Sequence, residues 1–300
     1  MPAPVYVSAI AHTLGTKVAL TELDEPVVRE RLDSLHEQGL RHCRVSTEPP
    51  AALAAASARA TLRRAGDPAI DAVVYCTDTR PELGHSSDLW DFLQRVERPT
   101  SHGVVVGGSG CGNLGPGLTT AGGLVRAEDA TVLLVTTDRV TDGTRYLANG
   151  ETVLSDGSAT CLVGPRPVGP SFAVRGLASS VRADLEATGR MSVARVSARA
   201  IGATARKAAA PGSVPDRGPF LTGNYGHTPR AFLAMSAGIA PERVHCAGLA
   251  DVGHCFSADV LIGLAALLED DGVAPGEPVV LLTASPRSWS VAVVERVDGH

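Results

Sequence analysis

The sequence is short of aromatic residues: two Trp, four Tyr and five Phe make up only 4% of its 300 residues. A core without large rings must be assembled from Ala, Val, Leu and Gly, which favours helices packed closely on sheets. Long apolar runs are also missing. Stretches such as Ala72 to Tyr75 and Thr131 to Val135 fall far short of the roughly 18 residues that cross a bilayer, so no membrane association is expected. There is no run of five like charges, and 32 acidic against 27 basic side chains give a net charge of −5. A phosphate-binding face for nucleic acid is therefore not expected. The six cysteines include no CxxC pair and no His/Cys cluster at zinc spacing, so free thiols and no metal site are expected. The start, Met1-Pro2-Ala3-Pro4-Val5, lacks a basic segment followed by an apolar one, and a cytoplasmic location is the expectation.

What is present is 44% apolar residues over a length suited to about two domains. Apolar, β-rich runs near 4–10, 70–76, 103–107 and 131–137 alternate with helical patterns near 25–38, 49–65, 86–96 and 113–127, which predicts parallel βα units. Gly164-Pro-Arg-Pro-Val-Gly-Pro170 reads as a linker. Beyond it a second series predicts strands near 171–179, 218–222, 243–247, 278–284 and 289–296, with helices near 190–209, 228–238 and 256–270. Both halves end alike: the run from Thr131 followed by Ser158-Ala-Thr-Cys-Leu-Val163 corresponds to that from Val279 followed by Ser290-Val-Ala-Val-Val-Glu295. The pattern predicts a duplicated α/β unit, with halves at 1–165 and 166–300, and a site at their junction.

Val104-Val-Val-Gly-Gly-Ser-Gly-Cys111-Gly-Asn-Leu-Gly-Pro-Gly117 reads as a strand, a glycine turn and a helix. Such a helix start offers free N–H groups and the positive end of its dipole. Two chemistries compete for it. Gly110-x-Gly112-x-x-Gly115, with Asp138 ending the next strand, matches a dinucleotide fingerprint. That fingerprint belongs to the first βα turn of a domain, however, and Pro116 stands where close helix packing is wanted. Alternatively Cys111 is a nucleophile, its thiolate favoured by the dipole and its glycine neighbours leaving room for an acyl donor. A GxSxG elbow fails, because the residue two beyond Ser109 is Cys111.

Among nine histidines, His227 and His254 stand apart. In Asp251-Val-Gly-His254-Cys-Phe-Ser-Ala-Asp259 a glycine precedes the histidine, a helix follows, and Asp259 falls in the first helical turns. This spacing lets the carboxylate orient the imidazole while the imidazole takes a thiol proton. The competing readings are a loop histidine and a first-turn acid that favours the helix dipole.

Together these segments resemble the thiolase-fold ketoacyl-ACP synthase III family over almost the whole chain. Gly39-Leu-Arg-His-Cys-Arg44 is similar to its Gly-Ile-Arg-x-Arg segment. Pro50 to Arg64 resembles the helix before its DxVVxxT strand, here Asp71-Ala-Val-Val-Tyr-Cys-Thr77. Cys111 stands at the acyl-accepting cysteine, Leu154-Ser-Asp156-Gly157-Ser-Ala159 at the FGDGAGA turn, and Val279 to Arg296 at the closing hairpin. The resemblance implies a five-layered αβαβα thiolase fold, a homodimer, an acyl carrier protein or CoA thioester as donor, and no cofactor. It also implies backbone oxyanion donors at Cys111 and at Ser285.

The departures carry information too. Decarboxylating members use His in a His-Gln-Ala-Asn segment and Asn in a Gly-Asn-Thr-Ser segment. Here those positions hold Thr222-Gly-Asn224-Tyr-Gly-His227 and Gly253-His254-Cys255-Phe256, an apparent exchange. The Gly-His-x-x-x-x-Asp pattern is similar to a secondary-metabolism subgroup that acylates hydroxyl or amine acceptors or selects unusual starter units. In that reading His254 is the base, Asp259 orients it and Asn224 donates a hydrogen bond. Leu23 to Leu40 holds no counterpart of the family's adenine-stacking tryptophan, which favours a carrier-protein donor. Decarboxylative condensation, a nicotinamide-dependent oxidoreductase using residues 110–115, and a non-catalytic partner of a paralogue stay as alternatives.

Overall fold

The structure is a computed structural model describing residues 3–80, 84–187, 190–209, 212–246 and 248–299. Its first half runs β1 (Tyr6–Leu14), β2 (Thr16–Ala19), α1 (Pro26–Glu30), α2 (Leu32–Glu37), β3 (His42–Val45), α3 (Pro50–Arg64), β4 (Ala72–Cys76), α4 (His85–Arg95), β5 (His102–Val106), α5 (Leu114–Glu128), β6 (Val132–Asp138), β7 (Tyr146–Leu147), β8 (Thr152–Val153) and β9 (Gly157–Gly164). The second runs β10 (Pro170–Val181), α6 (Arg190–Ala208), β11 (Phe220–Leu221), α7 (His227–Ser236), β12 (Val244–His245), α8 (Leu249–Val252), α9 (Asp259–Glu269), β13 (Pro278–Ala284) and β14 (Ser288–Asp298).

The main sheet has the order β12-β11-β13-β14-β10-β1-β9-β6-β4-β5. Its two five-strand halves repeat one βαβαβαββ pattern. In each, the second strand pairs parallel with the third and fourth, the fourth pairs antiparallel with the fifth, and the fifth antiparallel with the first. The first strands, β1 and β10, join the halves antiparallel, with Ser8 opposite Ser171 and their hydroxyls 2.8 Å apart.

α3 and α4 cover the outer face of the first half, and α6 and α7 that of the second. α5 and α9 lie between the halves and touch strands of both, giving the layers αβαβα. The glycines of α5 make that central position possible. A Cβ on Gly117 would lie 2.4 Å from the Cys76 sulfur, and one on Gly115 would lie 2.1 Å from the Ser290 hydroxyl. No packed interior accommodates that overlap without a shift. α5 therefore touches β4 and β14 at once because these positions carry no side chain.

Several expected elements differ in detail, and the strand near 218–222 is reduced to Phe220–Leu221. The helix near 25–38 is two short helices, broken at Arg31, whose φ and ψ of −110° and 5° leave the helical region. The helix near 256–270 opens as a 3₁₀ turn over Phe256–Ala258 and becomes α-helical only at Asp259. Strand 243–247 is reduced to Val244–His245, and position 247 lies outside the described residues. α5 starts at Leu114 and takes Pro116 in its first turn, where no intrahelical N–H is needed.

Candidate active site

Cys111 sits in the 3₁₀ turn Gly110–Gly112 between β5 and α5. Gly110 has φ of +51°, a left-handed conformation that glycine takes freely. The Ser109 N–H donates to Asn113 Oδ1 at 2.9 Å and ties the turn to the head of α5. A Cβ on Gly112 would lie 3.5 Å from the Ala284 carbonyl carbon and 3.6 Å from Ser285 N, so this turn packs on the β13–β14 hairpin of the other half.

That packing corrects the dinucleotide alternative. The glycines at 112 and 115 admit Ala284, Ser285 and Ser290 rather than a pyrophosphate. Asp138, the expected ribose ligand, is 1% exposed. Its Oδ1 accepts from the backbone N–H of Asp78 (2.6 Å) and Thr79 (3.1 Å) and from the Thr77 and Thr79 hydroxyls. Burial pushes its carboxyl up to about 7 despite those donors.

His254 and Asp259 are both buried. Asp259 Oδ2 lies 2.5 Å from His254 Nδ1 and accepts from the Asn224 N–H at 2.6 Å, while Oδ1 accepts from the Cys255 N–H at 2.8 Å. The Asn224 amide donates to Gly253 O at 2.8 Å and lies 3.5 Å from Asp259 Oδ1. Asn224 thus faces the carboxylate and the loop.

The first half supplies the strap for this loop. Ser155 N–H donates to His254 O (2.8 Å), His254 N–H donates to Val153 O (2.9 Å), and the Ser155 hydroxyl donates to Val252 O (2.5 Å). Gly253 allows the close approach, with φ of +66° and its missing Cβ 2.8 Å from the Ser155 hydroxyl and 2.9 Å from Val153 O. The Asp156-Gly157 turn behind it is held by the two-pronged pair of Arg145 with Asp156, both contacts 2.9 Å.

With Nδ1 taken by Asp259, His254 Nε2 is the nitrogen left for Cys111. It is buried and has no hydrogen bond of ordinary geometry. Burial opposes charging of the ring, but the Cys111 thiolate and then the Asp259 carboxylate outweigh it and push His254 up to about 10. The Tyr225 ring lies against the imidazole with centroids 4.6 Å apart. Its hydroxyl donates to Ala284 O at 3.0 Å.

Cys111 opens into a cavity of about 400 Å³ between α6, α7, the β7–β8 hairpin and the β13–β14 turn. Its walls are mainly apolar, among them Leu147, Val193, Phe232, Leu233 and Trp289. These residues and Tyr225 were not singled out from the sequence, since their separate apolar patterns only predict core positions. His227 begins α7, and its N–H donates to Gln38 Oε1 at 2.5 Å.

One expected oxyanion donor needs correction. The Ser285 N–H closes the hairpin turn by donating to Ser288 O at 2.8 Å, so it does not face the cavity as a free donor. Among the described residues no group of three or more His, Cys, Asp or Glu side chains has metal-site geometry, and no helix is long and apolar enough to cross a membrane. The six cysteines are free thiols.

No protein-family model matches the chain, and no curated protein matches it. Solved structures do. The acyltransferase ChlB3 superposes with a TM-score of 0.82 at 16% identity, over 99% of this chain and 98% of its own. The 3-oxoacyl-(acyl carrier protein) synthase III FabH of Pseudomonas aeruginosa superposes with a TM-score of 0.80 at 18% identity, over 99% of both chains. This chain has the thiolase fold of the synthase III enzymes. OleA of Xanthomonas campestris, in a form with bound lauric acid and lauroyl-CoA, superposes with a TM-score of 0.78 at 16% identity, over 98% of this chain and all of its own. In thiolase-fold terms, Cys111 heads the first half's central helix and His254 lies just before the second half's.

Proposed function

We propose that this thiolase-fold protein is an acyltransferase working through an acyl-Cys111 intermediate. The observation that carries the reading is the buried His254–Asp259 pair, 2.5 Å apart, which leaves Nε2 without a partner, packed against Tyr225 on the wall of an apolar cavity that Cys111 also lines. In the first half-reaction the Cys111 thiolate attacks a donor thioester and the carbonyl electron pair moves to oxygen. Collapse expels the donor sulfur, which takes the His254 proton. In the second, His254 Nε2 removes a proton from an acceptor hydroxyl, amine or carbon acid. The acceptor then attacks the acyl group and Cys111 leaves as thiolate. Asn224 acts as a positioning residue through its two contacts with Asp259. The Cys111 N–H, at the head of the turn, serves as an oxyanion donor.

A carrier protein fits as the donor's vehicle. α6 contributes Val193, Ala194 and Ser197 to the cavity wall and exposes Arg195 and Arg199 beside it. The helix contains five basic residues and no acidic one, in a chain of net charge −5. Such a surface suits an acidic partner. A homodimer belongs to the same reading. β5 is an open sheet edge, Val104 on it and Trp90 beside it in α4 are 40% and 61% exposed, and a second copy would cover them. A secondary-metabolism role and a cytoplasmic location complete it.

The test is intact-protein and peptide mass spectrometry after incubation with acyl-N-acetylcysteamine and carrier-bound thioesters of several chain lengths. A mass increase equal to the acyl group, located at Cys111 and absent in Cys111→Ala, is the expected result. Acyl label on another residue would overturn the reading.

A further inference from the structure

The turn that faces Cys111 lacks the usual means of holding an oxyanion. Ser285 N–H is taken by Ser288 O at 2.8 Å, and the next residue, Pro286, has no N–H. Yet Ser285 and Pro286 both line the cavity with Cys111.

Ser285 abuts the nucleophile turn at two points, with its side chain at one and its backbone at the other. Its Cβ would lie 3.8 Å from a Cβ on Gly110, and its backbone nitrogen 3.6 Å from one on Gly112. It is half-buried, and its hydroxyl makes no hydrogen bond with any described residue. The other hydroxyl of the same turn, on Ser288, is directed to Ser109 Oγ at 3.4 Å.

We propose that the Ser285 hydroxyl is a catalytic residue, the side-chain donor that joins the Cys111 N–H in the oxyanion hole. This rests on the acyl-transfer reading above. As the Cys111 sulfur bonds to the thioester carbon, the carbonyl π pair moves onto oxygen and Ser285 O–H donates a hydrogen bond to it without giving up the proton. Collapse returns the pair to carbon and expels the donor thiol. A hydroxyl rotor can serve the tetrahedral species of both half-reactions, and side-chain donors do this work in other acyl-transfer sites.

The experiment compares two reactions of one sulfur in wild type, Ser285→Ala and Ser285→Thr. Acylation by an N-acetylcysteamine thioester develops an oxyanion, whereas alkylation by iodoacetamide does not. In Ser285→Ala the acylation rate constant should fall about 10²- to 10³-fold, with half-saturation changed little and alkylation within threefold of wild type. Ser285→Thr, which keeps a hydroxyl, should acylate within about tenfold of wild type. Acylation of Ser285→Ala at the wild-type rate overturns the assignment alone. So does an equal loss of acylation and alkylation, or a threonine variant as slow as the alanine one. A wild-type protein that is alkylated but not acylated by any thioester removes the acyl-transfer reading, and this assignment with it.

Discussion

Asp259 Oδ2 stands 2.5 Å from His254 Nδ1, and both side chains are cut off from solvent. The carboxylate holds the ring so that Nε2 addresses the thiol, and stabilises the charge the ring acquires. Asp259→Asn keeps the size and an acceptor oxygen but removes the charge. By analogy with a serine-protease triad that loses its aspartate charge, Cys111 acylation should slow by about 10²- to 10⁴-fold while the fold survives. Stopped-flow acylation with circular dichroism on the same samples checks both parts.

Tyr225 should act on the imidazole through its ring and on the hairpin through its hydroxyl. Space for the ring is left by Gly223 and Gly150, whose added Cβ atoms would lie 2.7 and 2.9 Å from it. Tyr225→Phe loses only the hydrogen bond to Ala284 O, a change of about 1 kcal/mol in stability by denaturant titration. Tyr225→Leu removes the π face beside the imidazolium. The protonated ring of His254 is then less favoured, so the iodoacetamide rate at pH 7 should fall severalfold in the leucine variant and stay near wild type in the phenylalanine variant.

Gly253→Ala should be among the most damaging single changes in the loop. A non-glycine residue with positive φ costs roughly 1–2 kcal/mol, and the new Cβ would also meet the Ser155 hydroxyl at 2.8 Å and Val153 O at 2.9 Å. A loss of more than about 2 kcal/mol in urea unfolding is expected, together with loss of acylation as the His254 strap moves.

The Asp138 carboxyl carries a pH signature. Its folded pKa, about 7, lies above the ordinary aspartate value of 3.8, so the folded state prefers the protonated form more than the unfolded chain does. The stability this contributes is fully present below about 3.8 and is lost as pH rises through about 7. Asp138→Asn keeps an acceptor for the Asp78 and Thr79 N–H groups and does not titrate. Its melting temperature relative to wild type should rise between pH 4 and pH 8, measured by differential scanning fluorimetry across that range. A difference that stays flat would show that the buried carboxyl is not the titrating group.

For the exposed arginines of α6, Arg195→Glu/Arg199→Glu should raise the KM for a carrier-protein thioester about tenfold or more, with stronger inhibition by salt in wild type than in the variant. Turnover of the small N-acetylcysteamine thioester should be unaffected. Equal effects on both donors would place the helix in folding rather than docking.

The alternation of apolar strand runs with helical segments, and the matching endings at 131–163 and 279–295, were enough to identify a duplicated α/β unit, because backbone periodicity and side-chain polarity are local properties of the chain. Cys111 among glycines and the five-residue step from His254 to Asp259 were legible for the same reason: a turn and the helix after it place such neighbours without help from distant segments. Local signals could not separate a phosphate-binding glycine turn from one that lets a helix lie between two sheets. Ser290 and Cys76, remote in sequence, decide that by filling the space where Cβ atoms would be. Nor could they show that Asn224 holds Asp259, that Tyr225 covers His254, or that Ser285 uses its N–H to close a hairpin. Those are contacts between segments remote in sequence, or across a turn. Hydrogen-bonding capacity belongs to each residue in the sequence, but the partner that takes it is settled only when the packed chain brings the two together.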